Sequence, residues 1–169
     1  ECAIGTTPLG TDIVDWKDCG AGADVTIAGL SLVTGVTYYV SARATNGAGI
    51  SGPAAASDGI KVDNTPPVGL VVNVDGDFTG SVDTLHGSWS ATDPESGIAK
   101  YRYCIGTSAG SNNIADWLDV GSATDHTRTG LTLVNGQTYY ITAIATNGAG
   151  GSGEPVSSRG VKADLTPPS

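Results

Sequence analysis

Apolar and small residues alternate with polar residues along most of the chain, which is the period-two pattern of half-buried β-strands. A clear example follows Tyr139, where Ile141, Ala143 and Ala145 stand at every second position. No window of about 12 residues carries Leu, Glu, Lys, Gln or Met at the 3.6-residue spacing of an amphipathic helix. The pattern therefore predicts an all-β fold.

This alternating pattern occurs twice. Shifting the sequence by 101 positions aligns residues 1–68 with residues 102–169 without a gap, and 34 of these 68 pairs are identical. A period near 100 residues is too long for a solenoid repeat and fits a small β-sandwich. We therefore expect two domains of one type, at residues 1–64 and 65–164, with residues 165–169 starting a further linker.

Two glycine clusters have the spacing of a dinucleotide-binding fingerprint, NGAGISG at 46–52 and NGAGGSG at 147–153. That fingerprint requires a strand before it, a helix after it and an acidic residue about 20 positions further on. Here the second cluster lies between two alternating segments, the later one being EPVSSRGVKAD. This order predicts a hairpin whose glycines supply positive φ angles, and not a nucleotide site.

The same segments resemble the signature of fibronectin type III domains, from the E–F corner through strand F to the F–G loop. The second copy follows it at Leu133, Gly136, Tyr139, Ile141, Ala143, Ala145, Asn147, Gly150 and Ser152. The first copy follows it at Leu32, Gly35, Tyr38, Val40, Ala42, Ala44, Asn46, Gly49 and Ser51. Trp89 stands where that family keeps the core tryptophan of strand B, and GIAKYRY at 97–103 resembles its strand C. The resemblance implies two tandem fibronectin type III-like β-sandwiches.

Leu133 and Tyr139 lie six positions apart around a turn. This spacing lets the tyrosine ring pack under the corner while its hydroxyl bonds to backbone, which is a tyrosine corner. DPESGI at 93–98 and the DNTPP linker at 63–67 further resemble tandem repeats of large bacterial surface and secreted proteins.

Thr-Pro-Pro occurs at 65–67 and again at 166–168. These segments cannot donate ladder hydrogen bonds at the prolines and favour an extended backbone, so they suit a stiff spacer between domains. The second occurrence predicts that a further domain follows or that the sequence stops at a domain boundary.

The first copy starts in the middle of strand C, because Glu1 aligns with Arg102. Strands A and B of the second copy are predicted at about residues 68–91, so the first copy lacks both within this chain. A sandwich without them leaves strand E without sheet neighbours and exposes the inner face of the opposite sheet. Either the chain is part of a longer protein, or another subunit donates the missing strands and builds a fibre.

The cysteines bear on the compartment. Cys2 aligns with Tyr103 and Cys19 with Val120, both predicted to face inward on or just after neighbouring strands. A disulfide between Cys2 and Cys19 would fit an oxidising, extracellular setting. Cys104 should face the other way and has no evident partner. Because the count is odd, three free thiols remain the alternative.

Acidic residues outnumber basic ones, 17 to 8, and the formal net charge is −9. No basic cluster for nucleic acid or an anionic membrane is visible, and no apolar run is long enough to span a bilayer. The acidic side chains could instead bind Ca²⁺ as a cofactor, although surface acids are usually only solvated. The candidate ligands at the joint between the domains are Asp63, Asn64, Asp93 and Glu95, and a second group is Asp75, Asp77 and Asp83.

Catalytic residues are not evident. His86 and His126 have no counterparts in the first copy, and no nucleophile elbow, zinc-ligand pair or phosphate loop appears. The repeated Asp-Trp pairs, with Trp16 and Trp117, could present an aromatic ring to a glycan or a protein, or could cover the sandwich edge.

The sequence therefore predicts a non-enzymatic structural or adhesive segment of an extracellular or cell-surface repeat protein. Its expected partners are neighbouring domains or subunits and glycans, without nucleic acid or membrane insertion. One alternative is a self-assembling homopolymeric fibre subunit, and another is an accessory segment of a secreted, for example carbohydrate-active, enzyme.

Overall fold

The alternating segments form β-strands in the computed structural model, which describes residues 1–22 and 24–168. These residues form strands, turns and loops and contain no helix, which confirms the all-β prediction. The chain divides into two compact units, Glu1–Asn64 and Thr65–Ser169.

The second unit is a complete β-sandwich of two sheets. One sheet has the order β11-β8-β6 and the other β10-β9-β12-β14-β7, with β13 also pairing with β12. In the strand nomenclature of the family that the sequence resembles, these sheets correspond to E-B-A and C′-C-F-G. The strands are β6 (Val68–Val74), β7 (Phe78–Thr79), β8 (Leu85–Thr92), β9 (Ile98–Gly106), β10 (Ala115–Asp119), β11 (Asp125–Arg128), β12 (Thr138–Asn147), β13 (Val156–Ser157) and β14 (Val161–Ala163).

The core of this unit is built around Trp89, which is 2 % exposed. Its ring stacks on Tyr103 at a centroid distance of 5.0 Å, and its Nε1 donates to the Ala123 carbonyl at 2.8 Å. Buried aromatic rings combine a large apolar area with a polar atom that needs a partner, and here that partner is backbone. Ile141, from the opposite sheet, belongs to the same core and is 1 % exposed.

The chain between β6 and β8 contains one strand that the sequence analysis did not predict. Phe78 and Thr79 leave the A–B sheet and pair in parallel with Lys162 and Ala163 of β14. The connection between strands A and B therefore crosses to the other sheet. Its period-two signal is only two residues long, which is too short to be recognised from sequence.

The first unit contains a single sheet with the order β2-β1-β3-β4, and β5 also pairs with β3. All its strand pairs are antiparallel. They correspond to strands C′, C, F and G of the second unit. Their bounds are β1 (Cys2–Gly5), β2 (Val14–Lys17), β3 (Thr37–Ala42), β4 (Ala55–Ala56) and β5 (Ile60–Lys61).

Among residues 1–22 and 24–64, no strand corresponds to A or B, as predicted. Residues 24–27, which align with β11, form no strand, because the strand that would pair with them is missing. Val40 is 44 % exposed, whereas the aligned Ile141 is 1 % exposed. Ile60 is 68 % exposed, whereas the aligned Val161 is 2 % exposed. The inner face of this sheet is therefore uncovered.

Candidate functional site

A cavity of about 810 Å³ lies beside the uncovered sheet face of the first unit. Cys2 and Cys19, which are 17 positions apart in sequence, form a disulfide in its wall with their Cα atoms 6.0 Å apart. Ala42 and Ala44 of the strand F segment also line it, together with Val25. The wall also carries charged side chains, namely those of Glu1, Asp18, Asp24 and Arg43.

The Thr-Pro-Pro segment that starts the second unit is held by the F–G loop. The Asn147 side chain is 1 % exposed, and its Nδ2 donates to the Thr65 carbonyl at 2.8 Å and to Asp93 at 3.1 Å. Its Oδ1 accepts from the Gly151 amide at 2.7 Å. Pro67 is buried. A single amide side chain therefore connects the linker, the B–C loop and the F–G loop.

The proposed calcium ligands belong to both units. Asp63 and Asn64 are the last two residues of the first unit, whereas Asp93 and Glu95 lie in the B–C loop of the second. Asp93 accepts from the Ser96 amide at 2.9 Å, and Glu95 accepts from Thr65 Oγ1 at 3.4 Å. Both loop carboxylates thus serve as hydrogen-bond acceptors within their own unit, and calcium binding stays a prediction.

The second acidic group lies between β6 and β8, and two of its members contact a basic side chain. Asp75 contacts His86 Nδ1 at 3.0 Å, and Asp77 contacts Arg159 at 3.0 Å. Asp83 accepts from the Ser81 hydroxyl at 3.5 Å. Each of these carboxylates thus has a neighbouring partner, and calcium binding by this group stays a prediction.

Each repeated tryptophan has an arginine over its ring. The Arg43 guanidinium carbon lies 4.3 Å from the Trp16 ring centroid, and that of Arg102 lies 5.8 Å from Trp117. Arg43 also bonds Glu1 at 2.6 Å, and this hydrogen bond holds the pKa of the Glu1 carboxyl below its usual range. In each pair the guanidinium group covers one face of the indole ring, so the tryptophan packs as part of the domain surface.

The two histidines lie on strands of the smaller sheet, His86 on β8 and His126 on β11. His126 Nδ1 is 2.8 Å from the Tyr103 hydroxyl, so it satisfies a core tyrosine. Cys104 is fully buried and its thiol donates to the Ser111 carbonyl at 3.6 Å. Burial raises the pKa of the Cys104 thiol to about 11.

The sequence comparisons found no match, and the structural comparison found distantly similar proteins. No known family profile matches the chain, and no curated protein matches it. Among solved structures, domains A168–A170 of titin align with 19 % identity and a TM-score of 0.43, over 76 % of this chain and 41 % of the chain that contains those three domains. The FN1–FN3 domains of chicken CNTN1 align with 18 % identity and a TM-score of 0.42, over 78 % and 44 %. The chain thus spans less than half the length of each.

Sequence reasoning did not assign a role to Asn147, although a signal was present. Asn147 recurs as Asn46 at the same position of the other copy, between an alternating strand and the glycine cluster. It was assigned only to the family signature, because its partners Thr65 and Asp93 are 82 and 54 positions away in sequence.

No helix long and apolar enough to cross a membrane occurs among residues 1–22 and 24–168.

Proposed function

We propose that this chain is a non-catalytic structural or adhesive segment of an extracellular or cell-surface repeat protein. Similar β-sandwiches would follow one another along that protein, and their exposed loops and sheet faces would make contacts with proteins and glycans. The observation that supports this most directly is the held Thr-Pro-Pro segment of the second unit.

The hydrogen bond from Asn147 to Thr65 and the burial of Pro67 fix the direction in which the linker leaves the domain. Proline also restricts the backbone on its own and favours an extended spacer. A linker that is both held and stiff limits bending between repeats, which is the property that a rod-like array needs. The disulfide between Cys2 and Cys19 supports an oxidising compartment.

A second candidate function is a fibre subunit that receives strands from a neighbouring subunit. The observation that favours it is the uncovered inner face of the first unit, where Val40 and Ile60 are 44 % and 68 % exposed. Added strands would bury such a face and satisfy an open sheet.

Identifying the natural polypeptide that contains this segment would distinguish these functions. An antibody raised against the 169-residue chain would be used to isolate it from surface-labelled cells, followed by intact-mass and peptide mass spectrometry. A large, surface-labelled protein made of similar repeats is the expected result. A parent with a catalytic domain would replace the proposal with the accessory-segment hypothesis, and a polypeptide of about 16.9 kDa in filaments would favour the fibre.

A further inference from the structure

Two Asn-Gly pairs lie in the second unit, Asn135-Gly136 and Asn147-Gly148. Asparagine deamidates most readily before glycine, because glycine has no side chain to hinder attack of its backbone nitrogen on the asparagine amide. Position 148 nevertheless requires glycine, since a Cβ atom built there would lie 2.7 Å from the Ser96 carbonyl oxygen. The fold of this unit therefore requires a chemically reactive pair next to its linker.

Both groups that would react at this pair are held by hydrogen bonds. The Gly148 amide donates to the Gly97 carbonyl at 3.1 Å. Asn147 is 1 % exposed, and its Nδ2 donates to the Thr65 carbonyl at 2.8 Å and to Asp93 at 3.1 Å. Ring closure would remove the Gly148 proton and expel Nδ2, so all three hydrogen bonds have to break before the reaction. The linker and the B–C loop thus protect the pair.

We propose that Asn147 is a latent modification site, at which opening of the linker leads to spontaneous deamidation. The Gly148 nitrogen forms a bond to Asn147 Cγ, the Cγ–Nδ2 bond breaks, and Nδ2 leaves as ammonia with the proton of the Gly148 amide. Water then opens the succinimide ring and leaves a carboxylate, in an aspartate or an isoaspartate residue. Water is the only other reactant.

The product cannot hold the linker as asparagine does. A carboxylate has no donor for the Thr65 carbonyl, and it places a second negative charge beside Asp93. Deamidation therefore makes a reversible opening of the linker permanent. The site is a property of the second unit by itself, whichever natural protein contains that unit.

Asn135-Gly136, before the other end of strand F, is a matched comparison within the same unit. The Asn135 Oδ1 accepts from the Leu165 amide at 2.8 Å, and the Gly136 amide donates to the Ala163 carbonyl at 2.7 Å. This pair is therefore held by the segment that follows strand G, and not by residues 65–67. Its side chain acts there as an acceptor, a role that aspartate can fill.

The first experiment loosens the linker in the full 169-residue chain. Pro66→Gly with Pro67→Gly replaces its restricted backbone by a flexible one. The folded protein is kept at mildly alkaline pH, and deamidation is located by fragmentation of the tryptic peptide 129–159, which contains both asparagines. We expect Asn147 to deamidate at least about tenfold faster than in the unsubstituted chain, with Asn135 unchanged, because only the local opening becomes more frequent.

Pro8→Gly with Pro53→Gly is the matched control, since these prolines are exposed and lie in the first unit. It should change neither rate. Equal acceleration of both asparagines by the linker substitutions would overturn the proposal, because the reaction would then require unfolding of the whole unit. An unchanged rate at Asn147 would overturn it as well.

The second experiment asks whether the product releases the linker. Asn147→Asp is compared with Asn135→Asp by amide hydrogen exchange of residues 65–71, and residues 98–106 of β9 serve as a reference that should stay protected in both. We expect exchange of residues 65–71 to be at least about tenfold faster in Asn147→Asp and unchanged in Asn135→Asp. Equal exchange in the two variants would contradict the proposed release. Neither experiment depends on where the natural protein is located, so a failure here is distinguishable from a failure of the proposed function.

Discussion

Single residues show how the two copies differ at places where their strands pair in the same way. Ser41 of β3 pairs with Ala56, and Thr142 of β12 pairs with Ser157 at the equivalent place. The Thr142 and Ser157 hydroxyls bond to each other at 2.8 Å. Ser41 is fully buried, and its hydroxyl has no partner among the residues described. The replacement of one serine by alanine thus leaves a buried polar atom unsatisfied.

Restoring a hydrogen-bond partner for the Ser41 hydroxyl should stabilise the first unit. We expect Ala56→Ser to raise its free energy of unfolding by about 1 kcal/mol, since a buried hydroxyl gains the hydrogen bond that it lacks. Urea denaturation of the full chain measures the change. Ser41→Ala is the control, because it removes the unsatisfied atom and should not destabilise. A loss of stability in Ala56→Ser would show that the two side chains cannot reach each other.

Cys104 is expected to be chemically inert at neutral pH. Its pKa of about 11 leaves roughly one thiol in a thousand ionised at pH 8, and only the thiolate reacts. Iodoacetamide should therefore label the native protein at least about 100-fold more slowly than the unfolded protein, whose thiol pKa is near 8.5. Labelling is measured by intact mass, with and without concentrated urea.

The same shift has a stability consequence at high pH. The folded pKa is raised above the unfolded value, so the contribution of the neutral thiol is complete below about pH 8.5 and is lost as the pH rises through 11. Cys104→Ala should remove this pH dependence.

At the scale of elements, the turn before strand F is the clearest match between sequence and structure. The Tyr139 hydroxyl accepts from the Val134 amide at 2.8 Å, and the Tyr38 hydroxyl accepts from the Val33 amide at 2.9 Å. The tyrosine corner is confirmed in the second copy, and the first copy repeats it. This contact spans five positions, so a local spacing is enough to specify it.

Tyr139→Phe should cost about 1 kcal/mol, because the ring still packs while the Val134 amide loses its acceptor. Tyr140→Phe is the matched control on the other face of the strand and should cost almost nothing. Chemical denaturation of the second unit, followed by tryptophan fluorescence, provides the measurement. Equal losses in the two variants would mean that the corner hydrogen bond contributes no stability.

At the scale of the whole molecule, the two units differ in how they are stabilised. The second unit buries its core between two sheets, around Trp89 and Tyr103. The first unit has one sheet with an uncovered face, and a disulfide between Cys2 and Cys19 joins strand C to the segment after strand C′. We expect the first unit to depend on that covalent link for stability.

Reduction with dithiothreitol should therefore destabilise the first unit by about 3 kcal/mol, as expected for a loop of this length, and leave the second unit unaffected. Differential scanning calorimetry should show a low-temperature transition that moves down on reduction and a second transition that does not. Cys2→Ala with Cys19→Ala should reproduce the reduced state. A shift of both transitions would contradict the assignment of the disulfide to the first unit alone.

Much of the architecture could be predicted because its signals are local or repeated. Period-two alternation specifies strands, and the 101-residue repeat predicts a common fold for both units. Glu1 aligning with Arg102 was enough to predict the missing strands and the uncovered face. The short crossing strand at Phe78 and Thr79 could not be predicted, because it pairs with residues 84 positions away.

By itself, the sequence determined the all-β class, the repeated unit and the tyrosine corner, since these depend on spacing within the chain. Only the tertiary structure decided which of two aligned side chains has hydrogen-bond partners outside its own loop. Asn147 and Asn46 have the same neighbours in sequence, yet only Asn147 bonds a linker and a B–C loop. The physical reason is that its partners lie in a linker and a loop that are distant in sequence, which only the folded sandwich brings within hydrogen-bond distance.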